Sequence, residues 1–311
     1  MSSTLITGGA GFIGFHLQKK LQGKSNVTAI DLLPEGNKAA ILRAENLKSL
    51  TKGNIHEKFL SELENKPDVV VHLAAETGIP GSLSNPQKYF KTNIEGTFNV
   101  LEECRKNKIQ HLIYASSSSV YEPNQKVMTE NGATAKQLSF YGTSKKLCET
   151  MVENYCKQFG ITAIGLRFFT VYGSWTRPDM AAYKFMKAIN NENEITLYNN
   201  GEVMRDFTHV SDIVNSIERL VGKIKQEPQG SHQVFNIGYG QPSSVLQYAE
   251  QIAENLGKKL YFKSEKLPAN ELVSTHADTS KLEQFIQYKP TCSLYEGIKE
   301  MIDWFKKVNY E

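Results

Sequence analysis

The stretch STLITGGAGFIGFHLQKKLQ, residues 3–22, limits the fold more than any other part of the chain. It reads as a short apolar strand, a tight glycine loop and an amphipathic helix. Gly9, Gly11 and Gly14 fit the spacing GxGxxG, while Gly8, Gly11 and Gly14 fit the related GxxGxxG. The physics is the same either way. The first glycine permits the sharp strand-to-helix turn, and the second lets backbone approach a pyrophosphate. The third lets the helix pack close to the strand, with its positive end facing the phosphates.

A glycine pattern alone is weak evidence. Here it is followed by a second strand, NVTAID, that ends at Asp31. A carboxylate there accepts hydrogen bonds from both adenosine ribose hydroxyls and repels a 2′-phosphate. NAD is therefore expected in preference to NADP.

The alternation continues along the chain. KPDVVVHLAA, IQHLIYASS and ITAIGLRF read as strands, and NPQKYFKTNIEGTFNVLEECRKN and SFYGTSKKLCETMVENYCKQFG as long helices. Short apolar runs between amphipathic helices imply parallel strands with crossover helices. Past Phe169 the rhythm loosens, and further helices are expected near 243–256 and 294–306. The expected fold is α/β, a doubly wound parallel (Rossmann) sheet with a smaller C-terminal substrate-binding lobe. Residues 1–168, with returning segments near 205–240, are expected to bind NAD. Residues 169–204 and 241–311 would form the lobe.

Composition excludes several classes. The 311 residues are 40% hydrophobic and 22% charged, ordinary for a globular protein, and a net charge of +3 is too small to argue for nucleic acid or a membrane surface. No apolar run reaches the ~18 residues of a membrane span. Cys104, Cys148, Cys156 and Cys292 show no CxxC spacing and suit reduced thiols in a cytoplasmic protein better than disulfides or a metal site.

YASSSSVYE, residues 114–122, places four hydroxyls where a buried strand ends. Such a run disfavours a strand and is costly to bury without partners. Farther along, Tyr141 and Lys145 stand four apart on one helical face. A phenol with a reference pKa of about 10 is a poor base at neutral pH. A nearby ammonium and a positive nicotinamide ring both favour the phenolate. Such a proton acceptor beside a hydride acceptor is the chemistry of alcohol oxidation.

At these residues the chain resembles the extended short-chain dehydrogenases/reductases of the NAD-dependent epimerase/dehydratase family, which act on nucleotide sugars. The likeness covers TGGAGFIG, HLAA, NIEGTFNVLEECR, YASSSSVY, the Tyr141-to-Lys145 spacing, LRFFTVYG and RDFTHVSD. Within the family, LRFFTVYGSWTRPDMA followed by RDFTHVSDI is most similar to UDP-glucuronate 4-epimerases.

The resemblance implies Ser117, Tyr141 and Lys145 as catalytic residues, with Ser117 bonding the sugar's 4-oxygen and Lys145 the nicotinamide ribose. Gly8, Gly11, Phe12, Ile13, Gly14, Asp31, Asn54, Ile55, Leu73, Ala74, Ala75, Asn93 and Phe168 fall where relatives contact NAD. Ser118 and Ser119 stand where sugar dehydratases carry Asp-Glu and decarboxylases a glutamate, so neither activity has its expected carboxylate. Beyond the resemblance, Ser118, Ser119 and Thr170 are expected to hold a substrate carboxylate, with Arg177 as a closing cation on the carboxylate or the phosphates. Arg205 would meet the diphosphate and Glu271 the uridine ribose.

Three departures stand out. Glu122 replaces the glycine of VYG, Asn54 the aspartate of GD(I/V), and Ser174 and Thr176 occupy positions where relatives more often have Pro and Gly or Gln. The reaction implied is 4-epimerisation of a UDP-hexuronate through a 4-keto sugar. An epimerase of neutral or N-acetylated UDP-hexoses and a non-catalytic NAD-binding regulator are the alternatives. A homodimer through helices 85–107 and 139–159 is expected, with no nucleic-acid or membrane partner and no metal.

Overall fold

Thr162–Phe168 and Val69–His72 are buried at every residue, as strands covered on both faces must be. They lie in the main sheet of a computed structural model that describes residues 3–33, 37–47, 50–60 and 63–308. The chain begins with β1 (Ser3–Thr7), α1 (Phe12–Leu21), β2 (Asn26–Asp31), α2 (Lys38–Glu45), β3 (Leu50–Lys52) and β4 (Val69–His72). Next come α3 (Ile79–Ser84), α4 (Pro86–Tyr89), a π-helical turn (Phe90–Glu95), α5 (Gly96–Lys106), β5 (His111–Ser117), α6 (Phe140–Phe159) and β6 (Thr162–Phe168). Then follow β7 (Thr170–Tyr172), α7 (Ala181–Asn190), β8 (Ile195–Tyr198), β9 (Met204–Arg205), β10 (Phe207–His209), α8 (Val210–Lys223) and β11 (His232–Ile237). The chain closes with β12 (Ser243–Ser244), α9 (Val245–Leu256), β13 (Phe262–Glu265), α10 (Ser280–Ile286) and α11 (Leu294–Phe305).

The seven-stranded sheet has the order β3-β2-β1-β4-β5-β6-β11, and every pairing is parallel. The expected doubly wound α/β fold is present. Its order reverses between β1 and β4, which opens a crevice at the carboxyl ends of those strands. Apolar residues of α1, α8 and α10 cover one face, and those of α5 and α6 cover the other. A further core joins Tyr172 and Phe207 to α7, α9 and α11.

One expected element differs. The single long helix read over 85–107 is α4, a π turn and α5. Asn93, 1% exposed, explains the insertion. Its Oδ1 accepts from the Glu76 N–H at 2.8 Å, while its Nδ2 donates to the Glu76 carbonyl and to Ser144 Oγ, both at 3.0 Å. The π turn brings this side chain inward, and such turns recur at functional sites.

Candidate active site

The glycine loop closes with little room to spare. Gly8 has φ +75°, and a Cβ there would lie 2.6 Å from the Ala74 nitrogen. A Cβ on Gly14 would lie 2.2 Å from the Gly8 carbonyl oxygen. The first contact sets the loop against the Leu73–Ala74 backbone, where the Leu73 N–H donates to the Thr7 carbonyl at 3.0 Å. Helix α1 starts after Gly11 with no side-chain cap, so the first-turn N–H groups at Phe12 and Ile13 are available to an anion. Asp31 ends β2, and its Oδ2 accepts from the Ala10 N–H at 2.9 Å. A loop that admits no Cβ, an uncapped helix end and a carboxylate at the neighbouring strand end fit a dinucleotide.

Beyond the crevice, the four serines divide by direction. Ser116 points to one side of β5 and donates to Glu149 Oε1 at 2.7 Å. That carboxylate is itself clamped by Arg167 at 2.8 and 2.9 Å. Ser117 points the other way, its hydroxyl accepting from the Ser119 N–H at 3.1 Å and standing close enough to the Tyr141 phenol to hold its pKa down. The chain then turns through a 3-10 segment, Ser118–Val120. Helix α6 is seated on that turn because Gly142 has no side chain; a Cβ would stand 2.2 Å from the Ser119 carbonyl oxygen. Ser139 caps the helix by accepting from the Gly142 N–H at 3.1 Å. A cap and a glycine together set Tyr141 beside Ser117.

Burial raises the Tyr141 pKa, whereas the Ser117 hydrogen bond and the positive charge of Arg177 pull it down. The sequence reading gave that electrostatic task to Lys145. In this conformation Lys145 instead donates to the Ala115 carbonyl at 3.0 Å, and burial lowers its own pKa. Below it, His72 is held neutral: burial and the Lys145 charge push its pKa down to about 3. Its ring lies between Thr7 Oγ1, at 2.7 Å, and Thr97 Oγ1, at 3.1 Å.

Phe168 ends β6 in register with Ser117, and Phe169 packs beside Tyr121. Ser118, Ser119 and Thr170 are half-buried, and their hydroxyls bond no other described residue. Arg177 divides its guanidinium. Nε and Nη2 lie on Asp179 at 3.0 and 2.8 Å, and Nη1 donates to Thr77 Oγ1. Arg205 and Glu271 pair with each other at 3.3 Å.

The departures have local explanations. Asn54 bonds within its own turn, accepting from the His56 N–H at 3.0 Å and donating to Glu57 at 3.2 Å. Ile55, buried, packs against Gly96. Glu122 accepts from the Ala135 N–H at 2.9 Å and so ties down the loop after β5. Ser174 and Thr176 are buried in the loop that carries Arg177.

Sequence reasoning missed His72, Thr77, Tyr89 and Asp179. Tyr89 meets the Tyr141 ring edge-on at 6.1 Å and donates to the Thr77 carbonyl at 2.7 Å. Its spacing from Asn93 on the expected helix was the available signal. Among the described residues, no three His, Cys, Asp or Glu side chains cluster to hold a metal ion, and no helix is long and apolar enough to cross a membrane.

Comparison with known proteins gives this geometry a context. The model of the NAD dependent epimerase/dehydratase family matches residues 4–238. Protein CapI of Staphylococcus aureus is 39% identical over 97% of this chain and 97% of its own length. A probable UDP-glucuronate 4-epimerase of Rhizobium meliloti is 32% identical over 98% of this chain and 97% of its own. The crystal structure of UDP-glucuronic acid 4-epimerase from Bacillus cereus, in complex with UDP-glucuronic acid and NAD, superposes with a TM-score of 0.89. It is 31% identical and the match covers 98% of this chain and 99% of that one. The glycine cradle, the Ser117–Tyr141 pair and the family match over most of the chain lead to one assignment: this protein belongs to the NAD-dependent epimerase/dehydratase family.

Proposed function

We propose that the protein interconverts UDP-glucuronate and UDP-galacturonate by inverting carbon 4 of the sugar. The observation that supports this reading is the set of hydroxyls of Ser118, Ser119 and Thr170, which follow the carboxyl ends of the paired strands β5 and β6. All three are half-buried and without partners among the described residues, and there is no carboxylate where dehydratases and decarboxylases need one. Bound NAD supplies the site with an acceptor and then a donor for the hydride of carbon 4. Tyr141 takes the proton of the 4-hydroxyl on its phenolic oxygen and later returns it. Ser117 aligns that hydroxyl, and Lys145 and Asn93 stiffen the floor of the site through the bonds to Ala115 and Ser144. Arg205 and Glu271 are assigned to the diphosphate and uridine ribose.

The substrate's chemistry explains the serines. A 4-keto uronate has its ketone beta to the carboxylate and loses carbon dioxide when the carboxylate bond aligns with the carbonyl π-system. The enzyme must hold the carboxylate out of that alignment while the keto sugar turns over. Three hydroxyls each donate one hydrogen bond without adding negative charge, and Arg177 supplies the cation. The test is Thr170→Ala and Ser119→Ala, with both epimer and carbon dioxide followed on UDP-glucuronate. Slower epimerisation with a larger share of decarboxylated UDP-4-keto-pentose supports the clamp; an unchanged product ratio removes it.

The same reading includes a homodimer in the cytoplasm. Phe98, Tyr155 and Phe159 form a ring chain across α5 and α6, and Phe98, Leu147 and Phe159 are exposed there. Four free cysteines suit a reducing compartment.

A further inference from the structure

Two loops that belong to different tasks are joined by one buried side chain. Arg43 on α2 is 2% exposed. Its Nε donates to the Ala10 carbonyl in the glycine loop at 2.6 Å, and its Nη1 donates to the Trp175 carbonyl at 3.0 Å. Trp175 lies in the loop 173–180, which also carries Arg177. The same loop is pinned to α1 at two more points. His16 Nε2 donates to the Ser174 carbonyl at 2.8 Å, and Phe15 packs on the Trp175 ring at 4.9 Å.

The backbone here needs that support. Trp175 has φ +61° and Gly173 φ +142°. A bulky residue in the left-handed region is strained, and it persists only where the surroundings hold it. Thr77, next to the Leu73–Ala75 segment of the cofactor crevice, receives the other end of the loop through Arg177. The loop is thus fixed at Trp175 to the glycine loop and at Arg177 to the segment after β4.

We propose that Arg43 is a positioning residue for epimerisation: it locks the substrate-side loop 173–180 to the glycine loop and so sets where Arg177 stands. A planar guanidinium with five donors can bond two carbonyls from a fixed position, and a single ammonium on a flexible stem cannot reproduce that fork. The consequence for substrate rests on the reading of Arg177 given above. The lock itself does not.

Hydrogen exchange of residues 173–180 and steady-state kinetics on UDP-glucuronate test this with NAD-loaded protein. The variants are Arg43→Met, Arg43→Lys, Arg177→Ala and the Arg43→Met/Arg177→Ala pair. The proposal expects faster exchange at 173–180 in both Arg43 variants. It also expects KM for UDP-glucuronate to rise about tenfold in Arg43→Met, as for one lost charge-assisted hydrogen bond, with a smaller change in kcat. The double variant should be no worse than Arg177→Ala, because both changes remove one function. Arg43→Lys keeps the test open if Arg43→Met does not fold. Native exchange at 173–180 in a folded Arg43 variant, or KM effects that simply add, overturns the lock. A native KM in Arg177→Ala would instead refute the role given to Arg177, and the exchange result would still judge Arg43.

Discussion

Tyr141 is where chemistry and environment meet at the level of one residue. Replacement by Phe removes the proposed proton acceptor, and kcat should fall by at least about 10²-fold, read as epimer formed per enzyme; near-native turnover would take Tyr141 out of the mechanism. Its pH behaviour follows from the charges around it. Burial raises its pKa and Arg177 opposes that rise, so kcat/KM should climb with pH as the phenolate forms. Removing the positive charge in Arg177→Ala destabilises the phenolate, so the climbing limb should move to higher pH. A limb that stays in place, or moves to lower pH, would show that Arg177 does not act on the phenol. We propose that Asp31 governs cofactor choice. In Asp31→Ala, NAD affinity should fall by about one to two decades, as expected for roughly 1–3 kcal/mol of lost acceptor bonding. The gap to NADP should narrow, and titration with both cofactors measures it. The glycines, Asp31, Tyr141 and Lys145 were legible in the chain from their spacing, and Ser117 only through the family resemblance. Arg43 was not. It shares the buried face of α2 with Ala39 and Ala40, and an arginine on an apolar helical face was the one signal. What it bonds lies far along the chain at Trp175, and no local pattern encodes that.

At the scale of elements, the strands and crossover helices were readable because their apolar period is a property of neighbouring residues. The break between α4 and α5 was not, because the apolar pattern runs on through it. Its cause is long-range, in the bonds from Asn93 to Glu76 and Ser144. Asn93→Leu should therefore leave two partly buried backbone groups of Glu76 without that partner and lower the unfolding free energy by about 1–3 kcal/mol, measured by denaturant titration. Equal stability would mean that the π turn is set by something else. Gly142 makes the same point for the active site. A glycine inside a helix reads as a weakness, and only the packing against the Ser119 carbonyl shows why it stands there.

For the molecule as a whole, the apolar chain of Phe98, Tyr155 and Phe159 predicts that Phe98→Glu with Leu147→Glu converts a dimer to a monomer in light scattering. A native protein that is already monomeric would remove the dimer. The central claim concerns the substrate, and one measurement addresses it most directly. Purified protein is incubated, without added NAD, with UDP-glucuronate, UDP-glucose and UDP-N-acetylglucosamine separately, and the products are identified. The account predicts UDP-galacturonate from the first, with little carbon dioxide and far slower conversion of the other two. Conversion of UDP-glucose or UDP-N-acetylglucosamine as fast as UDP-glucuronate would contradict the uronate reading and make this an epimerase of neutral UDP-sugars.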